Sequence, residues 1–323
     1  MSTIQELGVQ FIQYLQTFHP ELDGVMGFFA ILVKPEYFMV FILPVLYWNF
    51  GNRFFIKLFI VVIIDILIGE ILRIGLAQPR PWWIAEMVPI DDVTSVYSSP
   101  AGYSSFSTLF FGFVAYHFRK KWVTFICVFI IIATSIAKLY EAATLIDHLL
   151  LGIIQGLLML WLFVKKGDKI TDWIISLTKS RVLLLTLGLA ILFYVLTYLI
   201  TLLQLTYDLP ASMIKYRIIP GERLSNGATV FTAGFLISGI LSLKLNAYNH
   251  KHLKVELALW KRILGTILGL GGVFVLFTVI RPTLINLFSN EIIVGCINLL
   301  FAVLTGFWIY NYVPSILYKR KSD

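Results

Sequence analysis

Hydrophobic residues in this chain fall in long unbroken blocks. Val182 to Leu205, Leu224 to Leu243, Ile263 to Ile280 and Ile292 to Tyr318 contain no charged residue. Each is about as long as the ~20 residues needed to cross ~30 Å of hydrocarbon. The shorter blocks Trp122 to Ala137 and Leu149 to Val164 reach that length once their flanks are included. Together with the apolar stretches before them they predict nine crossing helices, at approximately 35–50, 54–77, 103–118, 122–138, 146–165, 182–205, 226–244, 262–281 and 291–316. The first residues read differently. Ile4, Leu7, Phe11 and Leu15 recur at helical spacing, and the apolar piece from Val25 to Val33 is too short to span. An interfacial or re-entrant element is therefore expected there.

Composition agrees with this pattern. Hydrophobic residues make up 59% and charged residues 14% of the 323 positions, and the mean hydropathy is +0.85. A soluble domain has roughly half its residues apolar and about a quarter charged. The expected fold is an all-α, polytopic integral membrane protein. The net charge of +8 by itself would admit a nucleic-acid partner, but its distribution excludes one. Of the 26 Lys and Arg residues, 18 lie in alternate loops: Arg53 and Lys57; Arg119 to Lys121; Lys165, Lys166, Lys169, Lys179 and Arg181; Lys244, Lys251, Lys254, Lys261 and Arg262; Lys319 to Lys321. That is the positive-inside pattern, and it predicts a cytoplasmic C-terminus.

Cys127 and Cys296 lie inside apolar blocks and give no disulfide framework. No His, Cys, Asp or Glu cluster has metal-ligand spacing, so neither metal nor cofactor is expected. The N-terminus lacks a basic n-region, which leaves insertion to the membrane segments themselves. Three regions are expected: an amphipathic, interfacial segment over 1–34, a transmembrane core over 35–168, and further transmembrane helices over 169–323, with Lys165 to Arg181 as the seam. In the last region Gly265, Gly269 and Gly272 have the spacing of small residues at helix contacts.

The chemically distinctive stretch is Gly69 to Trp83, GEILRIGLAQPRPWW. One arginine, Arg73, ends an apolar run; after six intervening residues come Arg80, Pro81 and two tryptophans. Cations at a span end beside aromatic anchors suggest an anion site at the bilayer surface. Plainer readings exist for the same residues. Arg73 has Glu70 three positions earlier, Lys138 has Glu141 three positions later, and Trp82 and Trp83 suit the interface as anchors. His117 adjoins the basic Arg119 to Lys121 cluster, and His250 and His252 lie in a basic loop on the cytoplasmic side.

The spacing of Arg73 and Arg80-Pro81 resembles the first signature of the type 2 phosphatidic acid phosphatase superfamily, whose fold is related to that of vanadium haloperoxidases. The second signature, Pro-Ser-Gly-His at a helix start, is similar to Pro100, Ala101, Gly102 and Tyr103. The third, Ser-Arg, five residues, His, three residues, Asp, aligns with Ile136 to Gly152 and puts Ala137, Lys138, Thr144 and His148 at its four named positions. The resemblance implies a haloperoxidase-like helical core followed by extra C-terminal helices. It assigns phosphate binding to Arg73, Arg80, Lys138 and the backbone at Gly102. The positions that carry the family's chemistry are Tyr103, Thr144 and His148. Here a tyrosine stands for the leaving-group acid, a threonine for the nucleophilic histidine and a histidine for the carboxylate that orients it.

The resemblance therefore implies a membrane protein that recognises a lipid phosphate or diphosphate on the non-cytoplasmic side, with impaired hydrolysis. Non-catalytic lipid-phosphate binding or transport, and a role as a membrane assembly factor, are the alternatives. A phosphorylated membrane lipid and the bilayer are the expected partners, with the oligomeric state left open. The expected location is a bacterial inner (plasma) membrane.

Overall fold

A computed structural model describes residues 3–34, 38–50, 53–90, 97–204, 228–246, 259–288 and 290–317. The sequence features at 205–227 and 247–258, including His250 and His252, and the basic cluster Lys319 to Lys321, lie outside the described residues. Among those described, secondary structure is helical, with no strand. The helices are α1 (Thr3–Gln16), α2 (Asp23–Leu32), α3 (Leu43–Phe50), α4 (Arg53–Leu76), the single turn α5 (Pro81–Ile84), α6 (Gly102–Phe118), α7 (Lys121–Tyr140), α8 (Ile146–Ser176), α9 (Lys179–Gln204), α10 (Ala228–Asn246), α11 (Leu259–Val275), α12 (Arg281–Ile285), α13 (Glu291–Phe307) and α14 (Val313–Leu317). Wide π-type turns at Leu276–Ile280 and Trp308–Tyr312 continue α11 into α12 and α13 into α14.

The chain is an integral membrane protein. Among the described residues five helical stretches are long and apolar enough to cross a bilayer: Lys121–Tyr140, Ile146–Ser176, Lys179–Leu203, Ile263–Ile285 and Ile293–Ser315. Helix also lies within each of the other predicted crossings. Of these, α4 has 24 residues but carries Lys57, Asp65, Glu70 and Arg73 along its length.

Contacts divide the chain into two compact units. The first comprises Met1–Pro35, Ile68–Val164 and Leu199–Ile219; the second comprises Glu36–Leu67, Lys165–Tyr198 and Pro220–Asp323. The long helices α4, α8 and α9 each contribute residues to both.

In the first unit α6 and α7 form a hairpin closed at Arg119, whose left-handed backbone (φ 52°) ends α6. Helix α8 meets α6 through glycines. A Cβ at Gly152 would strike the Ala101 carbonyl and come within 3.1 Å of the Ser104 Cβ; one at Gly156 would strike the Ser105 carbonyl and the Thr108 side chain. Gly112 returns the favour for Leu160 of α8, whose Cδ2 lies 2.7 Å from its would-be Cβ. Close backbone approach of this kind is how membrane helices gain packing energy when burial from water contributes little between them. Helix α2 lies along α7, with Phe29 edge-to-face on Phe129 at 6.2 Å.

In the second unit aromatic side chains fill spaces left by glycine. Trp48 abuts Gly269 and donates to the Ile309 carbonyl at 2.7 Å; Trp308 abuts Gly272 and donates to the Gly269 carbonyl at 3.0 Å. Each indole N–H is thereby satisfied away from water.

Candidate functional site

The residues singled out from the sequence, Arg73, Arg80, Gly102, Tyr103, Lys138, Thr144 and His148, all fall in the first unit. The loop from 97 to 102 and the N-terminus of α6 form their common centre. Helix α4 ends at Leu76 and the chain turns at Ala77 (φ 47°) into an extended piece. Arg80 is the N-cap of α5, with Pro81 at the first helical position. Proline suits that place, because its fixed φ is helical and its missing N–H would have no partner there. The extended Arg80 backbone leaves its side chain buried, with Nη1 donating to the Ala143 carbonyl at 3.0 Å.

That carbonyl is presented by the end of α7. Ala142, at φ 52°, ends the helix in a left-handed residue, and the Ala143 amide returns to the Lys138 carbonyl at 3.1 Å. This is the usual route by which a helix satisfies its last carbonyls. The Ser98 hydroxyl lies 3.3 Å from both the Ala143 carbonyl and the Thr144 hydroxyl, so Arg80, Ser98 and Thr144 share one backbone turn.

Arg73 and Lys138 meet the start of α6 from different helices. A Cβ on Gly102 would sit 2.6 Å from Arg73 Nη2, which places the guanidinium against the first residue of α6. Lys138 Nζ stands 4.3 Å above the Tyr103 ring in a cation–π contact. Ala101, the N-cap of α6, makes no side-chain cap. The first amides of a helix carry partial positive charge, and an uncapped N-terminus is a place for an anion. Both cations are also held by carboxylates three residues away. Arg73 Nη1 donates to Glu70 at 3.0 Å, and the buried Lys138 donates to Glu141 at 2.6 Å. The ion-pair reading of these cations and their gathering at α6 hold together in one arrangement.

His148 is the third residue of α8 and is 1% exposed. Its carbonyl accepts the Ala101 amide at 3.0 Å, which ties α8 to the loop before α6. Neither ring nitrogen has a hydrogen-bond partner among the described residues. Asp147 Oδ2 is 3.7 Å from Nε2, beyond hydrogen-bonding reach, and takes instead a hydrogen bond from Gln5 of α1 at 3.3 Å. Arg80 is near enough to act electrostatically on the ring. The hydroxyls of Ser99 and Ser104, both buried, are likewise without partners among the described residues.

Residues 54–172 match the model of the PAP2 superfamily. This stretch is PAP2-like. The PAP2 match starts in α4 and ends in α8, so it takes in every residue placed around the α6 N-terminus above. No curated protein and no solved structure matches the chain.

Two features of the site were not predicted. Ser98 and the Ala143 carbonyl organise Arg80, although nothing marks a backbone carbonyl in a sequence. Trp83, expected as an interface anchor, is 8% exposed and packs on Ile74 and Tyr97, with the Tyr97 ring at 6.1 Å. The indole fixes α5 against the end of α4, and so fixes Arg80 at its N-cap.

Proposed function

We propose that the PAP2 stretch binds the phosphate or diphosphate group of a membrane lipid at the N-terminus of α6, with Arg73, Arg80, Lys138 and the Gly102 backbone as its cradle. The supporting observation is the convergence of Arg73 and Lys138, from two different helices, on the first two residues of an uncapped helix. Cations and a positive helix end repel one another, and an anion with several acceptor oxygens relieves that repulsion. Glu70 and Glu141 supply part of the relief, so a phosphate competes with Glu70 for Arg73 and with Glu141 for Lys138. The positive-inside distribution supports a site on the non-cytoplasmic face and a cytoplasmic C-terminus.

The site lacks the family's arrangement for hydrolysis. A nucleophilic imidazole needs a base or carboxylate on its second nitrogen, whereas Thr144 occupies the nucleophile position. Recognition without turnover is the reading that fits best. The test is thermal unfolding of the detergent-solubilised protein with phosphatidic acid or a polyprenyl phosphate, against the matching diacylglycerol or polyprenol. Binding at about 100 times Kd stabilises by about 2.7 kcal/mol, so the phosphorylated lipid raises the midpoint and the neutral one does not. Arg80→Gln removes the shift. Equal midpoints with both lipids would sink the proposal.

One observation favours a second reading. The buried His148 ring, with both nitrogens unpartnered among the described residues and Arg80 acting on it, has the means to contact a bound phosphate. On that reading the protein releases inorganic phosphate from the lipid, and His148→Gln abolishes release while leaving the thermal shift. Activity unchanged by His148→Gln would rule out a displaced-histidine mechanism.

A further inference from the structure

Helix α1 divides its circumference among three surroundings. At 100° per residue, Gln5, Gly8, Val9, Ile12 and Gln16 form one face, and this face is turned to the protein. Val9 and Ile12 are buried against Leu139, Ala142, Leu145 and Leu149. Gln16 bonds the Val88 backbone in both directions, at 2.7 and 3.1 Å, and the Tyr140 carbonyl at 3.0 Å. About 120° away lie Thr3, Glu6, Gln10 and Gln13, polar and exposed. The remaining third carries Ile4, Leu7, Phe11 and Tyr14, which are 58, 60, 40 and 60% exposed. In water such an apolar stripe beside a polar one is unfavourable.

The depth of α1 follows from what it touches. Its partners are the last residues of α7, the first of α8 and the loop after α5. Since α7 and α8 are membrane-crossing candidates, the residues that join them lie where the bilayer ends. A 14-residue helix with four glutamines and a glutamate cannot span from there. It has the constitution of a helix lying in the headgroup region with one face in the acyl boundary.

We infer that α1 is a bilayer-surface helix that roofs the candidate site, with Ile4, Leu7, Phe11 and Tyr14 inserted in the lipid interface. Its protein-facing side bridges the α7–α8 turn, which carries Ala143 and Thr144, the start of α8, which carries His148, and the loop behind Arg80. The occupant of the apolar stripe is phospholipid, because the stripe adjoins membrane-crossing helices and its polar neighbour faces away. No Lys or Arg occurs in residues 1–33, so insertion rests on apolar contact and does not need anionic headgroups. The inference is independent of which anion the site takes.

The test is nitroxide labelling in phosphatidylcholine vesicles, in a Cys127→Ala, Cys296→Ala background. Labels at Leu7→Cys and Tyr14→Cys are expected to be accessible to oxygen and shielded from a water-soluble nickel reagent, with the reverse at Gln10→Cys. All three positions are exposed, so labelling them leaves the packed face intact. Equal nickel accessibility at positions 7 and 10 overturns the inference, as does dipolar coupling between copies at position 7, which would make a second chain the occupant. Insertion that appears only after anionic lipid is added overturns its apolar basis.

Discussion

A methyl group at position 152 would meet the Ala101 carbonyl, the neighbour of the amide that His148 holds. Gly152→Ala is therefore expected to cost about 1–3 kcal/mol through overpacking, read as a lower unfolding midpoint in detergent, and to weaken lipid-phosphate binding by moving the α6 N-terminus. Among the described residues, Gly188 of α9 has nothing within 4 Å of its would-be Cβ. Gly188→Ala should leave the midpoint unchanged or raise it, since helical glycine costs roughly 0.5–1 kcal/mol against alanine. Glu70 tests the cradle from the opposite direction. If phosphate and Glu70 compete for Arg73, Glu70→Gln increases the apparent affinity for lipid phosphate severalfold in a titration of the thermal shift. A purely structural Arg73–Glu70 pair predicts lower stability and no gain in affinity.

Between elements, the pair Lys138–Glu141 closes α7 in a fully buried setting. Removing one partner of a buried pair typically costs about 3–5 kcal/mol, while replacing both with apolar residues is often neutral. Glu141→Leu should accordingly destabilise strongly, and Lys138→Met with Glu141→Leu should recover most of the midpoint. The double variant should still lose the lipid-phosphate shift. Retention of the shift would confine Lys138 to a structural role. The link between the α1–α2 turn and α7 has its own pH signature. Hydrogen bonds from the Tyr140 hydroxyl, at 2.5 Å, and from His19 hold the Asp23 carboxyl below its ordinary range. A depressed carboxylate pKa contributes stability above the unfolded value, near 3.9, and that contribution is lost as pH falls through the folded value. Amide exchange in the turn should be unchanged from pH 7 to 5 after correction for intrinsic rates, and protection should be lost below about pH 4. Asp23→Asn abolishes that loss.

For the molecule as a whole, topology is the property that most constrains function. A reporter fused after residue 323 is expected to be active in the cytoplasm, and a cysteine introduced at Glu86, in the loop after α5, should react with an impermeant reagent from the opposite side. Reaction from the same side as the C-terminus would reverse the placement of the site. One boundary between the two compact units falls at Val164 and Lys165, where the anticipated seam begins, but the stretch from Lys165 is not all loop, because α8 runs without interruption from Ile146 to Ser176. Loop composition marks a change of charge but does not show that a helix continues beneath it.

Helical class, the position of each long helix and the residues that gather at the α6 N-terminus were legible along the chain. They depend on the length of apolar blocks, on charge in the intervening loops and on short spacings such as Arg73 to Arg80. What required the fold was convergence. Arg73 meets Gly102 and Lys138 meets Tyr103 from different helices, while Gly152 and Gly156 let α8 approach α6 and the turn at Ala142 brings the Ala143 carbonyl to Arg80. The same holds for Trp83, whose burial depends on Ile74 and Tyr97, and for α1, whose periodicity shows an apolar stripe but not its separate packed and exposed faces. A linear pattern records which residues can face hydrocarbon. Which of them meet protein, lipid or water depends on contacts between residues far apart in sequence, and those exist only once the helices have packed.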